Sequence, residues 1–249
     1  MKKFLLAAAL AETLLTGFHP PQLTITEGSG TVVTKSEKKA VKDLQQLVET
    51  AEVEEAWAYA PVPQRWHDIG TKTNLIEGEA VTVDNDKDLI QTLVKQYDRL
   101  IFYHIHPEKA ILKVIKPMLD NPGDSGLTSP EIAYLAQLSA VLPSSNDLAN
   151  ALYISCRYDQ KKLYHYKVAS LYGITDYQPI KEKVSDFCSE EDDFVFLFSA
   201  QFLGESIFKD LNQSKLEENV DSSIASQKSV ALLPNKYFTI TFTPYSALK

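Results

Sequence analysis

Cysteine is nearly absent: 249 residues carry two, Cys156 and Cys188. Two thiols so far apart cannot build a zinc cluster of the paired-cysteine kind. They either form one disulfide in an oxidising compartment or lie buried as thiols. Positive charge is short as well. Lysine and arginine number 25 against 33 acidic residues, for a net charge of −8, and no basic stretch has interleaved aromatics. That balance argues against a nucleic-acid binder. Long apolar runs are missing. The nearest approach, FVFLFSAQFLG from Phe194, falls short of the ~18 residues of a membrane span, so none is expected. Histidine is scarce, with five in the chain, and no internal repeat is visible.

What is present suits one large domain or one domain with additions, and 44% apolar residues are ample for a core. Lys2 and Lys3 precede the apolar run Phe4 to Ala11, a pattern that resembles a bacterial secretory signal. Residues 1–20 are therefore read as a leader, pointing to a periplasmic or secreted protein. The alternative is a frayed N-terminal helix on a cytoplasmic one.

Further along, Thr31 to Thr34 reads as a strand, and Ser36 as the cap of a helix with Ala40, Val41, Leu44, Leu47 and Val48 on one face. EEAWAYAPV, from Glu54, reads as a strand, Pro61 to Thr73 as a loop, and NLIEGEAVTVD as another strand. Asp86 caps a helix that turns Leu89, Ile90, Leu93, Val94 and Tyr97 inward. The order is that of an α/β protein.

The segment Ile101 to Glu108 reads IFYHIHPE. Leu100 to Ile105 is strand-like, so His104 and His106 point to the same face. Pro107 cannot donate a ladder hydrogen bond and ends the strand. Two imidazoles on one face at a strand's mouth can share a metal, or they can be a buried, hydrogen-bonded pair. Beyond Pro107, a helix carries Ala110, Ile111, Val114, Ile115 and Met118. The capping box Thr128-Ser129-Pro130-Glu131 starts a second helix running to about Leu142. LPSSNDLANALYI starts a third. KKLYHYKVASLYGITDYQPI reads as two strands with a turn near Gly173. Asp186 to Asp193 is an acidic break, Lys209 to Ser229 is polar, and KYFTITFTPY is a late strand. His67 falls in the predicted loop and is expected to be exposed. Tyr164 and His165 are expected to be structural.

A catalytic zinc takes three protein ligands and keeps a fourth position for water, with a carboxylate nearby as general base. His104-Ile105-His106-Pro107 followed by Pro143-Ser144-Ser145-Asn146-Asp147-Leu148 resembles the JAMM signature of the MPN-plus metallopeptidases, H-x-H-P then P-S-x-x-D-L. The family's glutamate opens a strand after the first helix, as Glu54 and Glu55 do here. The resemblance covers about residues 31–180. It implies a JAMM/MPN-like, cytidine-deaminase-like fold: a mixed sheet flanked by helices over residues 30–185, interrupted by a helical insertion at about 108–142. Residues 186–249 would be a C-terminal extension. It further implies Zn2+ held by His104, His106 and Asp147. Glu55, or alternatively Glu54, would accept the water's proton, and Ser144 would donate to the oxyanion. The implied activity is hydrolysis of a peptide or isopeptide amide in a peptide or protein substrate.

Two features depart from the family: the long spacer between the two motif halves, and the glutamate, which sits in a cluster of Glu52, Glu54 and Glu55 from which spacing singles out none. Ser144-x-x-Asp147 is also an ordinary helix cap. Amidohydrolase barrels and PHP-type phosphoesterases share a His-x-His strand end but need further histidines downstream, and only His165 follows His106. The remaining alternative is a non-catalytic MPN-like scaffold or binding module with a degenerate or structural metal site.

Overall fold

Small and aromatic residues alternate along β3 (Glu55–Ala60), and that alternation sets the two faces of the main sheet. Ala56, Ala58 and Ala60 point to one face, Trp57 and Tyr59 to the other. The computed structural model describes residues 25–26, 32–51, 54–73, 83–109, 128, 132, 140–158, 163–189, 230–234 and 236–248. Among these, the chain order begins with β1 (Ile25–Thr26), β2 (Val32–Thr34), α1 (Glu37–Thr50) and β3. β4 (Arg65–Asp68), β5 (Gly70–Thr73), β6 (Val83–Asn85), α2 (Lys87–Gln96) and β7 (Arg99–Ile105) follow. The second half holds α3 (Ser145–Arg157), β8 (Leu163–Ala169), β9 (Gly173–Pro179), α4 (Lys181–Cys188), β10 (Val230–Pro234) and β11 (Phe238–Pro244).

The protein is a mixed α/β structure. Eight strands form one sheet in the order β10-β11-β9-β8-β7-β3-β4-β2, and β1, β5 and β6 form a small second sheet. Among the described strands only β7 and β8 pair in parallel, with His104 opposite Val168 and Ile105 opposite Ala169. The connection between them contains α3, as a parallel pair requires a crossover. The late strand expected at KYFTITFTPY is β11, which lies in the main sheet between β9 and the edge strand β10.

Two apolar layers hold the sheet. On one face α1 buries Ala40, Leu44 and Val48 against Tyr59, Trp66, Ile101, Tyr103 and Ile105. Ser36 stands at the N-cap of α1 without a side-chain cap bond. The Glu37 amide donates instead to the Tyr59 hydroxyl at 3.1 Å, which satisfies one of the helix's unpaired N–H groups. On the other face α2, α3 and α4 bury Ile90, Leu93, Leu148, Leu152 and Val184 against Phe102, Tyr166, Val168, Phe238 and Phe242. Asp86 caps α2, accepting from the Leu89 amide.

Two turns depend on special residues. Gln64, at φ 65°, is the one described non-glycine residue with a left-handed backbone and closes the β3–β4 hairpin. Gly173 starts β9 where a Cβ would lie 2.3 Å from the Thr243 carbonyl oxygen, so no larger residue fits without backbone movement.

Three readings of the sequence need correction. The stretch Pro61 to Thr73 is not a loop: it holds β4 and β5. Its polar composition conceals Trp66, which stacks on Tyr59 with centroids 4.6 Å apart and draws the segment into the sheet. His67 is consequently buried rather than exposed, facing Tyr97. The acidic break expected from Asp186 begins inside α4, which extends to Cys188. The expected leader at residues 1–20, the helix at 110–118, most of the strand at 74–84 and the segments 194–208 and 209–229 lie outside the described residues.

Candidate metal centre

Ala56 lies directly opposite His104 across the antiparallel β3–β7 pair. Its small side chain leaves room for the imidazole on the α3 face of the sheet. Glu54, two residues before Ala56, shares that face; Glu55 has the opposite one and lies opposite Ile105. The geometry follows this division. Glu54 Oε2 is 3.2 Å from His104 Nε2, whereas Glu55 accepts a hydrogen bond from Trp57 Nε1 at 3.1 Å. Of the two candidate bases, the fold brings Glu54 to the histidines and holds Glu55 away from them.

The second half of the constellation arrives from α3. Ser144 is its N-cap, and Ser144 and Asp147 make a reciprocal capping box: the Asp147 amide donates to Ser144 Oγ at 3.1 Å, and the Ser144 amide donates to Asp147 Oδ2 at 2.8 Å. The box fixes the carboxylate's orientation. Asp147 Oδ1 then meets His104 Nδ1, and Oδ2 lies 3.5 Å from His106 Nε2. The ordinary helix cap and the site residue are thus the same aspartate. Despite the intervening spacer, the two halves of the sequence pattern meet.

His106 is buried, and its two nitrogens differ. Nδ1 donates to the Ala140 carbonyl at 3.2 Å, since a carbonyl oxygen can only accept. Nε2 is buried without a hydrogen-bond partner. A buried imidazole nitrogen in this state, its ring oriented from behind by a carbonyl, is arranged as metal ligands are. The two imidazoles stand edge to face, with centroids 5.0 Å apart. One ligand atom each from Glu54, His104 and His106 falls within a 4.8 Å cluster. Ligand atoms around a tetrahedral zinc lie about 3.3 Å apart, given bonds of about 2 Å. The 3.5 Å between His106 Nε2 and Asp147 Oδ2 is of that size. Two imidazoles with a carboxylate beside them are a donor set that a divalent cation accepts.

The electrostatics agree with four coupled groups. Burial works against a charged imidazole at His104, but the Asp147 and Glu54 carboxylates on its two nitrogens outweigh it and hold its pKa well above the usual histidine value. Burial likewise works against ionised Asp147, and His104 and His106 overcome it, pushing its pKa far below the carboxylate range. Asp147 is anionic at any working pH. A cation can replace the proton that His104 otherwise shares with the carboxylates.

Comparison with family models, curated proteins and solved structures returned no match to this chain. Two contributors were not read from the sequence. The Ala140 carbonyl is a backbone group with no side-chain signal. Cys156 and Cys188, left open between thiols and a pair, form a disulfide joining α3, the helix that carries Asp147, to α4.

Proposed function

We propose that the protein is a zinc-dependent hydrolase of peptide or isopeptide amide bonds, of the JAMM type that its sequence resembles, with Glu54 rather than Glu55 as the proton acceptor. The observation that carries this reading is the buried His106 Nε2, which makes no hydrogen bond and lies 3.5 Å from Asp147 Oδ2, its ring held by the Ala140 carbonyl. His104, His106 and Asp147 would hold the ion. Bound there, zinc would supply Lewis-acid polarisation of the scissile carbonyl and a lowered pKa for water.

The chain's own residues supply the rest. Glu54 is positioned by β3 beside His104 and keeps about a fifth of its side chain exposed, at 20%. It would take the proton of the attacking water and return it to the leaving amine. Ser144 Oγ accepts from the Asp147 amide, and that bond leaves the hydroxyl proton available to donate to the carbonyl oxygen as negative charge builds. The capping box keeps Ser144 and Asp147 in fixed relation through the reaction. The Cys156–Cys188 disulfide favours an oxidising compartment, so a cell-envelope or secreted peptide suits the site better than a cytoplasmic modifier.

The competing reading, a non-catalytic MPN-like binding module, draws support from His104, both of whose nitrogens are met by carboxylates. Metal analysis separates the two. The purified protein should carry about one zinc per chain, and His106→Ala should lose most of it. A panel of fluorogenic peptide and isopeptide substrates should then reveal zinc-dependent cleavage. A parent protein that binds no zinc on titration would end the hydrolase reading.

A further inference from the structure

Ala140 and Val141 are the last helical residues before the chain passes through Leu142 and Pro143 to the N-cap of α3. The final carbonyls of a helix have no partner within it. All four residues are buried, so their carbonyls are removed from bulk water and need partners. Two are accounted for by side chains of the sheet. The Ala140 carbonyl accepts from His106 Nδ1 at 3.2 Å. The Val141 carbonyl accepts from the hydroxyl of Thr175, a fully buried residue in the middle of β9.

These adjacent carbonyls couple Thr175 to the metal centre. The Thr175 hydroxyl bonds to Val141 rather than to a candidate ligand. Its strand lies two places from β7, with β8 between. Its hydroxyl holds the backbone at Val141, and the neighbouring residue, Ala140, presents its carbonyl to His106. The same stretch leads within a few residues to Ser144 and Asp147, so both sides of the site hang from one anchored turn.

We infer that Thr175 is a positioning residue of the metal site: it fixes the helix end so that the Ala140 carbonyl keeps His106 in the tautomer whose Nε2 is free to ligate. The inference rests on the metal-site reading above for its consequence, though not for its geometry. Replacing the hydroxyl would leave the Val141 carbonyl buried and unpaired. The helix end would shift to find another donor, and the hold on His106 would loosen. Outer partners of metal-binding histidines typically change affinity by about 10–100-fold when lost.

The test compares Thr175→Val, which keeps the branched shape, with Thr175→Ser, which keeps the donor. Two quantities are measured on each folded variant: the zinc dissociation constant, by competition with a chromogenic chelator, and the His106 tautomer in metal-free protein, by 15N NMR of the imidazole. Thr175→Val should weaken zinc binding about tenfold and convert His106 from one tautomer to a mixture. Thr175→Ser should restore both. Should the valine variant not fold, Thr175→Ala takes its place in the same comparison. Unchanged zinc affinity together with an unchanged single tautomer in the hydroxyl-free variant would overturn the inference. A parent that binds no zinc would defeat the metal-site reading instead, and the tautomer measurement would still decide whether Thr175 positions His106.

Discussion

Glu54 and His104 meet across the sheet, Oε2 to Nε2 at 3.2 Å, while Glu55, the next residue, turns to Trp57 on the opposite face. One residue of strand register therefore decides which glutamate can act on a water near the histidines. Glu54→Gln should retain zinc, because the amide preserves shape and the ligand set remains. It should lower amide hydrolysis by about 10²–10⁴-fold, the usual contribution of a general base. Glu55→Gln should leave the rate unchanged. Parallel assays on one substrate decide it: an inactive Glu55 variant beside an active Glu54 variant would reverse the assignment.

The register was partly written in the sequence. EEAWAYA alternates alanine with aromatic residues, so its two faces could be told apart, but which of them receives the histidines depends on pairing with β7, a tertiary fact. The helix of α1 and its inward residues Ala40, Leu44 and Val48 followed from apolar spacing alone. So did α2 with its Asp86 cap and the strand pair around Gly173. β4 did not. Arg65, His67 and Asp68 surround a single tryptophan, and the burial of that indole against Tyr59 outweighs the polar local composition. His104, His106 and Asp147 were recognisable as candidates because side-chain chemistry and order carry the signal. The Ala140 carbonyl and its anchor Thr175 carried none, because any residue presents a carbonyl and a lone threonine in a strand is ordinary.

The disulfide makes a prediction about stability that is separate from the chemistry. Cys156 lies in the last turn of α3, and Cys188 ends α4. The bond spans 32 positions and encloses β8 and β9. Closing a loop of that length restricts the unfolded chain enough to contribute roughly 3–4 kcal/mol in the loop-entropy description. Urea unfolding with and without reductant should show a drop of that order in the folded protein's stability, and Cys156→Ser/Cys188→Ser should match the reduced parent. Equal midpoints with and without reductant would show that the bond does not form in solution or does not constrain the unfolded chain.

The opposite face of the sheet holds a second set of coupled charges whose effect should appear only in stability. Glu37, in the first turn of α1, accepts hydrogen bonds from Tyr103 and, at 2.8 Å, from Lys167 on β8, tying the helix to two strands. Burial alone would raise the Glu37 pKa, but Lys167 and Tyr103 outweigh it and leave it below the ordinary 4.5. A carboxyl lowered on folding adds stability when ionised. That contribution is complete above the unfolded pKa and is lost as pH falls through the folded one. Glu37→Gln should therefore destabilise the protein at pH 7. With 34% of the Glu37 side chain exposed, solvent screening limits the effect to about 1 kcal/mol. Because both proteins carry a neutral side chain at sufficiently low pH, the gap between parent and variant should narrow as pH drops below 4.5. Denaturation midpoints measured from pH 7 downward would test this. A gap that stays constant with pH would mean that residue 37 stabilises through packing and helix capping rather than through its charge.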